Sequence, residues 1–503
     1  MAGSLSFPEF LGPKAAVAFE THRLKTLTDR DPPAEIFIVS DLHLGRGREP
    51  YTRRFVCTEN FVSDQAFERW LRASHPEEKK LLILNGDTFD FIRIANCPET
   101  PDEFAQWIKL LARLGVTKTD AQLRAAISKK EKRYGLQTDD YKCVWKLLQM
   151  AEGHQEFFRA LAYWIERGSS LLVVKGNHDL DLYWPLVRKA MLLLLQDAGA
   201  SAQAIERVFY CDSSLTMHNV YLEHGHKYDP QQDMSKGPTL PNEPTQLNLP
   251  LATFIARYLV NQLEQLEPFL GCLVPSERVM WIVLRRYPVA GIGVLTRSLT
   301  FLRRALQLTS RKGSLWYVVF LAAVCAPLGM LVLFIVLVCF PGARNWMFKA
   351  HPNVSFAVGV LSVLAPYLVS ALREIIKRIS KWQARRKREL QIGEDDLAKG
   401  VYETIRHMTF PKASRIYAVM GHTHDQDVQT LPDIKGTKVL YLNTGAWVPV
   451  WPDDRPDLAG QVLFPFVCFR RDSSGEYHHS YYEWRDDRGQ AAEPYILAPS
   501  QAD

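Results

Sequence analysis

The chain has 503 residues, 47% of them hydrophobic and 23% charged, with a formal net charge of +6. These are the proportions of an ordinary folded protein and exclude a disordered chain, while the length allows two or more domains or one domain with a large insertion. The 8 cysteines are scattered with no C-x-x-C pair, which argues against a thiolate zinc site or a disulfide framework and fits a reducing compartment.

Residues 1–34 read as an N-terminal arm: they hold short apolar pieces but no basic start, apolar run and small-residue cleavage site in sequence, so no secretory signal is expected. The run Ile36-Phe-Ile-Val-Ser then reads as a buried strand that delivers Asp41 and His43 to its carboxyl end, where open α/β sheets place their chemistry. If the segment stays extended, positions i and i+2 point the same way and both side chains share a face. Arg46 and Arg48, between glycines, follow at the mouth of that end. They suit a substrate phosphate, and a solvated loop is the competing reading. Residues 55–73, with Phe61, Phe67, Trp70 and Leu71 at helical spacing, are expected as a crossover helix.

A second apolar run, from Leu81, ends in Asn-Gly followed by Asp87 and, three residues on, Asp90. Residues 98–167 form a helical insertion with apolar faces at Phe104, Trp107 and Leu111 and at Trp145, Leu148 and Met150. A third run ends in Gly176, Asn177, His178 and Asp179, and a fourth in His224-Gly-His226. A fifth, 415–420, ends in Gly421-His422-Thr-His424. Asp, Asn and His at the tips of five strands are hard to explain by packing, and together they make a mixed oxygen and nitrogen set suited to Mn, Fe, Co or Zn.

The ordered set D-x-H, G-D-x-x-D, G-N-H-D, H-G-H and G-H-x-H resembles the calcineurin-like metallophosphoesterase superfamily over about residues 35–230 and 400–485. The resemblance implies that Asp41, His43 and His424 hold one divalent ion, that Asn177, His224 and His422 hold a second, and that Asp87 bridges them. It also implies that His178, oriented by Asp90, acts on the phosphate or the leaving group. Two ions about 3.5–4 Å apart clamp a phosphate, acidify a water and neutralise charge on the attacking and leaving oxygens. A more distant resemblance, in D-L-H-L and G-D-x-x-D, is to the UDP-2,3-diacylglucosamine hydrolases. Many of those carry Arg where this chain has His178, and they are much shorter.

After Tyr228 the pattern breaks into an irregular loop. Within 236–314, the segments 251–270 and 279–306 are apolar but interrupted by Arg257, Glu264, Arg285 and Arg297. Two readings stay open for them, helices at a membrane interface and a buried helical subdomain. Residues 315–340 and 354–372 carry no charged residue, and each is long enough to cross a hydrocarbon layer of about 30 Å as a helix. The basic stretch 373–394 follows. By the positive-inside rule both flanking portions face the cytoplasm, and that stretch is expected to attract anionic lipid.

The expected fold is α/β, a two-sheet α/β/β/α sandwich whose parts, 35–235 and 395–503, are separated by a membrane-associated insertion with two transmembrane helices at 315–372. The expected activity is hydrolysis of a phosphoester or pyrophosphate with two divalent ions, Mn foremost, at a bacterial inner membrane. A lipid-linked phosphate is the first substrate choice, and no nucleic acid is expected as a partner. The alternatives are a soluble nucleotide or phosphoprotein substrate, and a non-catalytic membrane scaffold.

Overall fold

The computed structural model describes residues 12–74, 79–229, 237–272, 396–450 and 459–492, with 232, 234 and a few positions between 282 and 294. Short, fully buried runs of Ile, Val and Leu become the centre of a seven-stranded sheet. Its strand order is Gln490–Ala492, Tyr477–Arg485, Pro465–Arg471, Glu35–Val39, Leu81–Asn85, Ser170–Val174, Val208–Cys211. The last four strands are mutually parallel. The strand Pro465–Arg471 joins antiparallel at Glu35–Val39. Parallel strands buried on both faces read as continuous apolar runs rather than as an alternation, which is why these runs stand out in the sequence.

A second sheet has five strands in the order Gln426–Ile434, Thr437–Thr444, Arg415–Met420, Val220–Glu223, Ser214–Met217. Its central pair, Val220–Glu223 and Arg415–Met420, is again parallel. Ile36, Ile38, Ile83, Leu172 and Val174 of the first sheet pack in one core with Val220, Leu222, Val419 and Leu442 of the second. The opposite face of the first sheet, through Phe37, Val39, Leu82 and Leu84, packs against helices Asp64–Ala73, Pro101–Arg113, Asp140–Gly153, Gln155–Glu166 and Pro185–Asp197. The layers therefore run helices, sheet, sheet, and the chain is mixed α/β.

The crossover helix begins at Asp64 rather than Phe55. The reason is local: the buried Glu59 carboxylate accepts from the backbone N–H of Gly45 at 3.0 Å, of Phe61 at 2.9 Å and of Gly47, and that fixes the preceding residues as a loop. Gln461–Val462 pairs with Pro449–Val450, and the long strand that follows starts at Pro465. A proline has no N–H to offer a ladder and tolerates only such a first position.

The membrane expectation is corrected. Among the described residues no helix is long and apolar enough to cross a membrane. The segments 315–340 and 354–372 and the basic stretch 373–394 lie outside the described residues. Length and lack of charge are necessary for a span but do not by themselves make one. The described residues therefore give no support to a two-span inner-membrane protein. The open choice for 251–264 resolves toward burial: Arg257 is 4% exposed and Glu264 fully buried, and Arg257 donates to the carbonyls of Gly135 and Leu136 at 3.0 and 2.5 Å.

One core contact also reaches the strand tips. Trp447 is fully buried against Trp70, Phe67 and Phe464 with ring centroids 5.2, 5.6 and 5.0 Å away, and its backbone N–H donates to the Asp41 carbonyl at 3.3 Å. Trp447→Ala is expected to lower stability by about 3–5 kcal/mol. A midpoint shift in urea unfolding at unchanged slope would register this loss, and an unshifted midpoint would contradict the assigned packing.

Candidate metal centre

Because Glu35–Val39, Leu81–Asn85 and Ser170–Val174 run parallel side by side, their carboxyl ends bring Asp41, Asp87 and Asn177 to one edge. The parallel pair in the second sheet does the same for His224 and His422. The two edges are stitched together. His224 Nδ1 donates to the Asn85 carbonyl at 2.9 Å and Asn85 Nδ2 donates to the Glu223 carbonyl at 3.0 Å, while within the second edge the Gly421 N–H donates to the His224 carbonyl at 3.0 Å.

The tips are not extended, contrary to the expectation for Asp41 and His43. Asp41, His43, Asp87, His422 and His424 have φ of 54°, 53°, 50°, 74° and 65°. Left-handed backbone at such residues costs of order 1–3 kcal/mol each and persists only where neighbours over-determine it. Here they do: Asp41 N–H donates to the Gly86 carbonyl at 3.1 Å, His43 N–H to Asp87 at 2.9 Å and Asp90 N–H to Leu44 at 2.7 Å. Two glycines are needed for room. A Cβ on Gly86 would lie 2.5 Å from the His224 ring, and one on Gly421 would collide with the side chains of Ser40 and Asp41.

Two clusters result. In the first, Asp41 Oδ1 lies 3.4 Å from His424 Nε2 and 3.8 Å from His43 Nε2, and the two imidazole nitrogens are 2.9 Å apart. In the second, His224 Nε2 lies 3.2 Å from both Asp87 Oδ2 and Asn177 Oδ1. Asp87, His224 and His422 place donor atoms within one ion's reach. Asp87 lies between the clusters, with Oδ2 4.0 Å from His43 Nε2.

His178 stands beside them. Its backbone N–H donates to Asp87 Oδ1 at 2.8 Å and its ring Nδ1 to Asp90 Oδ2 at 2.8 Å. The same Asp90 oxygen takes His43 Nδ1 at 3.0 Å.

The donor set fits divalent ions. With Nδ1 of His43 and of His224 committed to Asp90 and to the Asn85 carbonyl, each Nε2 presents a lone pair toward carboxylate oxygens. Asp41 Oδ1 is buried with no hydrogen-bond partner among the described residues. Buried lone pairs facing one another require a cation. Without an ion, protons serve that purpose. Burial disfavours charge on His43 and His224, yet the carboxylates outweigh it: Asp41 and Asp90 hold the first at about 10, and Asp87 and Asp41 the second at about 9. Burial likewise opposes ionisation of Asp41 and Asp90, but His224 beside the one and His178 beside the other hold both well below the usual carboxylate range. A metal bound here displaces those protons.

Arg46 and Arg48 are not bonded to these ligands in any described contact. The Arg48 guanidinium lies 3.9 Å from the Phe55 ring centre and donates to the Arg53 carbonyl at 3.0 Å, and Arg46 neighbours Glu152.

Several supporting residues escape the sequence reading. Asp179 accepts from Gly176 and Thr88 N–H at 2.5 and 3.1 Å, fixing the Asn177 turn; burial and the Asp87 charge push its pKa to about 7. Asp229 lies 3.3 Å from His422 Nε2, and Arg93 approaches Asp90. Asp179 ends a recognised motif and Asp229 follows another closely, so proximity in sequence was their only signal. Arg93 had none. No family model matches the chain, and no curated protein is significantly similar to it.

The loop at the mouth rests on a buried triad. His154 Nδ1 is 2.9 Å from Asp64 and its Nε2 is 3.2 Å from Glu59, the residue that fixes Gly45 and Gly47. Burial opposes a charged His154, but Asp64 and Glu59 hold its pKa up at about 10. A folded-state pKa above the unfolded value of about 6.5 stabilises fully below pH 6.5, and that contribution disappears as pH rises toward 10. The stability gap between wild type and His154→Gln, measured by urea unfolding, should therefore shrink from pH 6.5 to 10; a gap independent of pH would refute the buried charge.

Proposed function

We propose that the chain is a dinuclear-metal phosphoesterase of the calcineurin-like type, hydrolysing a phosphate ester or pyrophosphate bond. The observation that carries this reading is the gathering of Asp41, His43, Asp87, Asn177, His224, His422 and His424 from five strand ends, with His178 held by Asp90 at their side. On this reading the two packed sheets are the centre of an α/β/β/α metallophosphoesterase sandwich.

Asp41, His43 and His424 would hold one ion and Asn177, His224 and His422 the other, with Asp87 shared; Mn is the first choice, with Fe, Zn or Co suited to the same donors. When bound, such a pair neutralises phosphate charge and lowers the pKa of water. The chain's own residues do the rest. Asp90 fixes the His178 ring through Nδ1, leaving Nε2 free to face the phosphate. As the bond from phosphorus to the leaving oxygen breaks, that oxygen keeps the electron pair and takes the Nε2 proton, while the oxygen of a water forms the new bond to phosphorus and releases one proton to solvent, from which His178 is reprotonated. Among the described residues, nothing ties the substrate to lipid, so soluble nucleotides and phosphoproteins stand beside lipid-linked phosphate as candidates.

The test is metal analysis with a panel of phosphoesters. Asp87→Asn and His224→Ala are expected to lose metal and turnover, whereas His178→Ala keeps its metal and loses about 10²–10⁴-fold in kcat. Full activity in Asp87→Asn would reject the site. Metal binding without turnover of any phosphoester would favour the scaffold reading.

A further inference from the structure

Resting on the phosphoesterase reading, we infer that Arg93 and Glu264 are positioning residues that hold Asp90 square to His178, so that the inserted segment at 251–264 sets how well His178 delivers its proton. Asp90 Oδ2 is shared by two rings, His178 at 2.8 Å and His43 at 3.0 Å, which meet edge to face with centroids 4.6 Å apart. A carboxylate with two competing donors on one oxygen needs its plane set by something else. Arg93 adds that constraint: its backbone N–H donates to Asp90 Oδ1 at 3.2 Å, and its Nε makes an ion-pair contact with the shared Oδ2 at 3.6 Å, too long for a hydrogen bond. The guanidinium in turn forms a buried ion pair with Glu264.

Glu264 ends the helical stretch made of Leu251–Ile255, Ala256–Val260 and Asn261–Glu264. That stretch is fixed to the same turn at further points. Asn261 Nδ2 donates to the Ile92 carbonyl at 2.7 Å, and Thr253 Oγ1 lies 3.4 Å from the carbonyl of Asn177. The insertion thus braces both the Asp90 turn and the Asn177 turn. A planar guanidinium fork held between two carboxylates keeps a fixed orientation that a lysine would not.

A loosened brace should hurt the step that needs a proton at the leaving oxygen and spare one that does not. In Mn-loaded full-length protein, Glu264→Gln is expected to lower kcat about 10- to 100-fold on an alkyl phosphoester, whose leaving oxygen needs protonation, and less than about threefold on a nitrophenyl ester. KM should stay constant, and Glu264→Asp should recover most of the loss. Since removing one member of a buried pair can unfold a protein, the double variant Arg93→Met/Glu264→Leu, which removes both charges at similar volume, serves as the second test with the same expected pattern. In metal-free protein, the downfield ring N–H resonance that disappears in His178→Ala should shift or broaden in Glu264→Gln. Equal losses on both esters, or none, with an unmoved resonance, overturn the brace. A wild type inert toward both esters overturns the phosphoesterase reading instead, and the resonance alone then decides the positioning role.

Discussion

Buried atoms that can only accept hydrogen bonds, gathered where few donors reach, are the constraint on which the rest of this molecule depends. Asp41 Oδ1, Asp87 Oδ2 and Nε2 of His43 and His224 converge in a region almost closed to solvent. Leaving such groups unpaired costs several kcal/mol per charge, so a proton or a metal ion must stand among them. The rest of the edge exists to hold them in that unfavourable arrangement. Left-handed backbone aims the side chains, Gly86 and Gly421 give the two sheets room to meet, and the hydrogen bonds between Asn85, Glu223 and His224 lock the edges in register.

The residues gathered at the candidate site were legible as strand-end Asp, Asn and His, because each follows a buried parallel strand, and such strands leave a continuous apolar signature that ends abruptly. Their side-by-side order was not legible, since Glu35–Val39 has as one neighbour a strand that begins at Pro465. Nor was the backbone at the tips, because five non-glycine residues adopt an angle that sequence preference disfavours and only the assembled sheets enforce. Supporting groups fared worst. Glu59 acts through backbone N–H groups, which any sequence supplies, and Arg93 meets its partner 171 positions further on, at Glu264 (264 − 93). Hydropathy could not choose at 251–264 between a membrane interface and a buried subdomain, because the partners that decide it are distant: Arg257 donates to carbonyls at 135 and 136, and Glu264 pairs with Arg93.

Charge in this protein is kept inside in small, closed sets. Besides the candidate metal centre, Glu59, His154 and Asp64 form one such set, and Lys142, Glu131 and Asp139 form another. Each lies where a loop or helix must be held at a defined angle against the helical layer. Buried pairs add little net stability over apolar packing of the same volume, but their partners are not interchangeable, which discriminates against misdocked arrangements. The His154 set keeps the Gly45–Gly47 turn in place, and with it the exit of the strand that carries Asp41 and His43.

The placement of the strand Pro465–Arg471 governs the order in which the protein can come into being. Glu35–Val39 is followed by its parallel partners Leu81–Asn85 and Ser170–Val174, yet its other flank stays bare until Pro465–Arg471, more than 400 positions later, has been synthesised. Throughout that interval the apolar sequence Ile36-Phe-Ile-Val is an open sheet edge, the kind of surface that pairs with other nascent chains. His43 likewise waits for His424, 381 positions downstream. Closure of the centre therefore has to await segments far apart in sequence, and the hazard to be guarded against in producing the protein is premature edge-to-edge association.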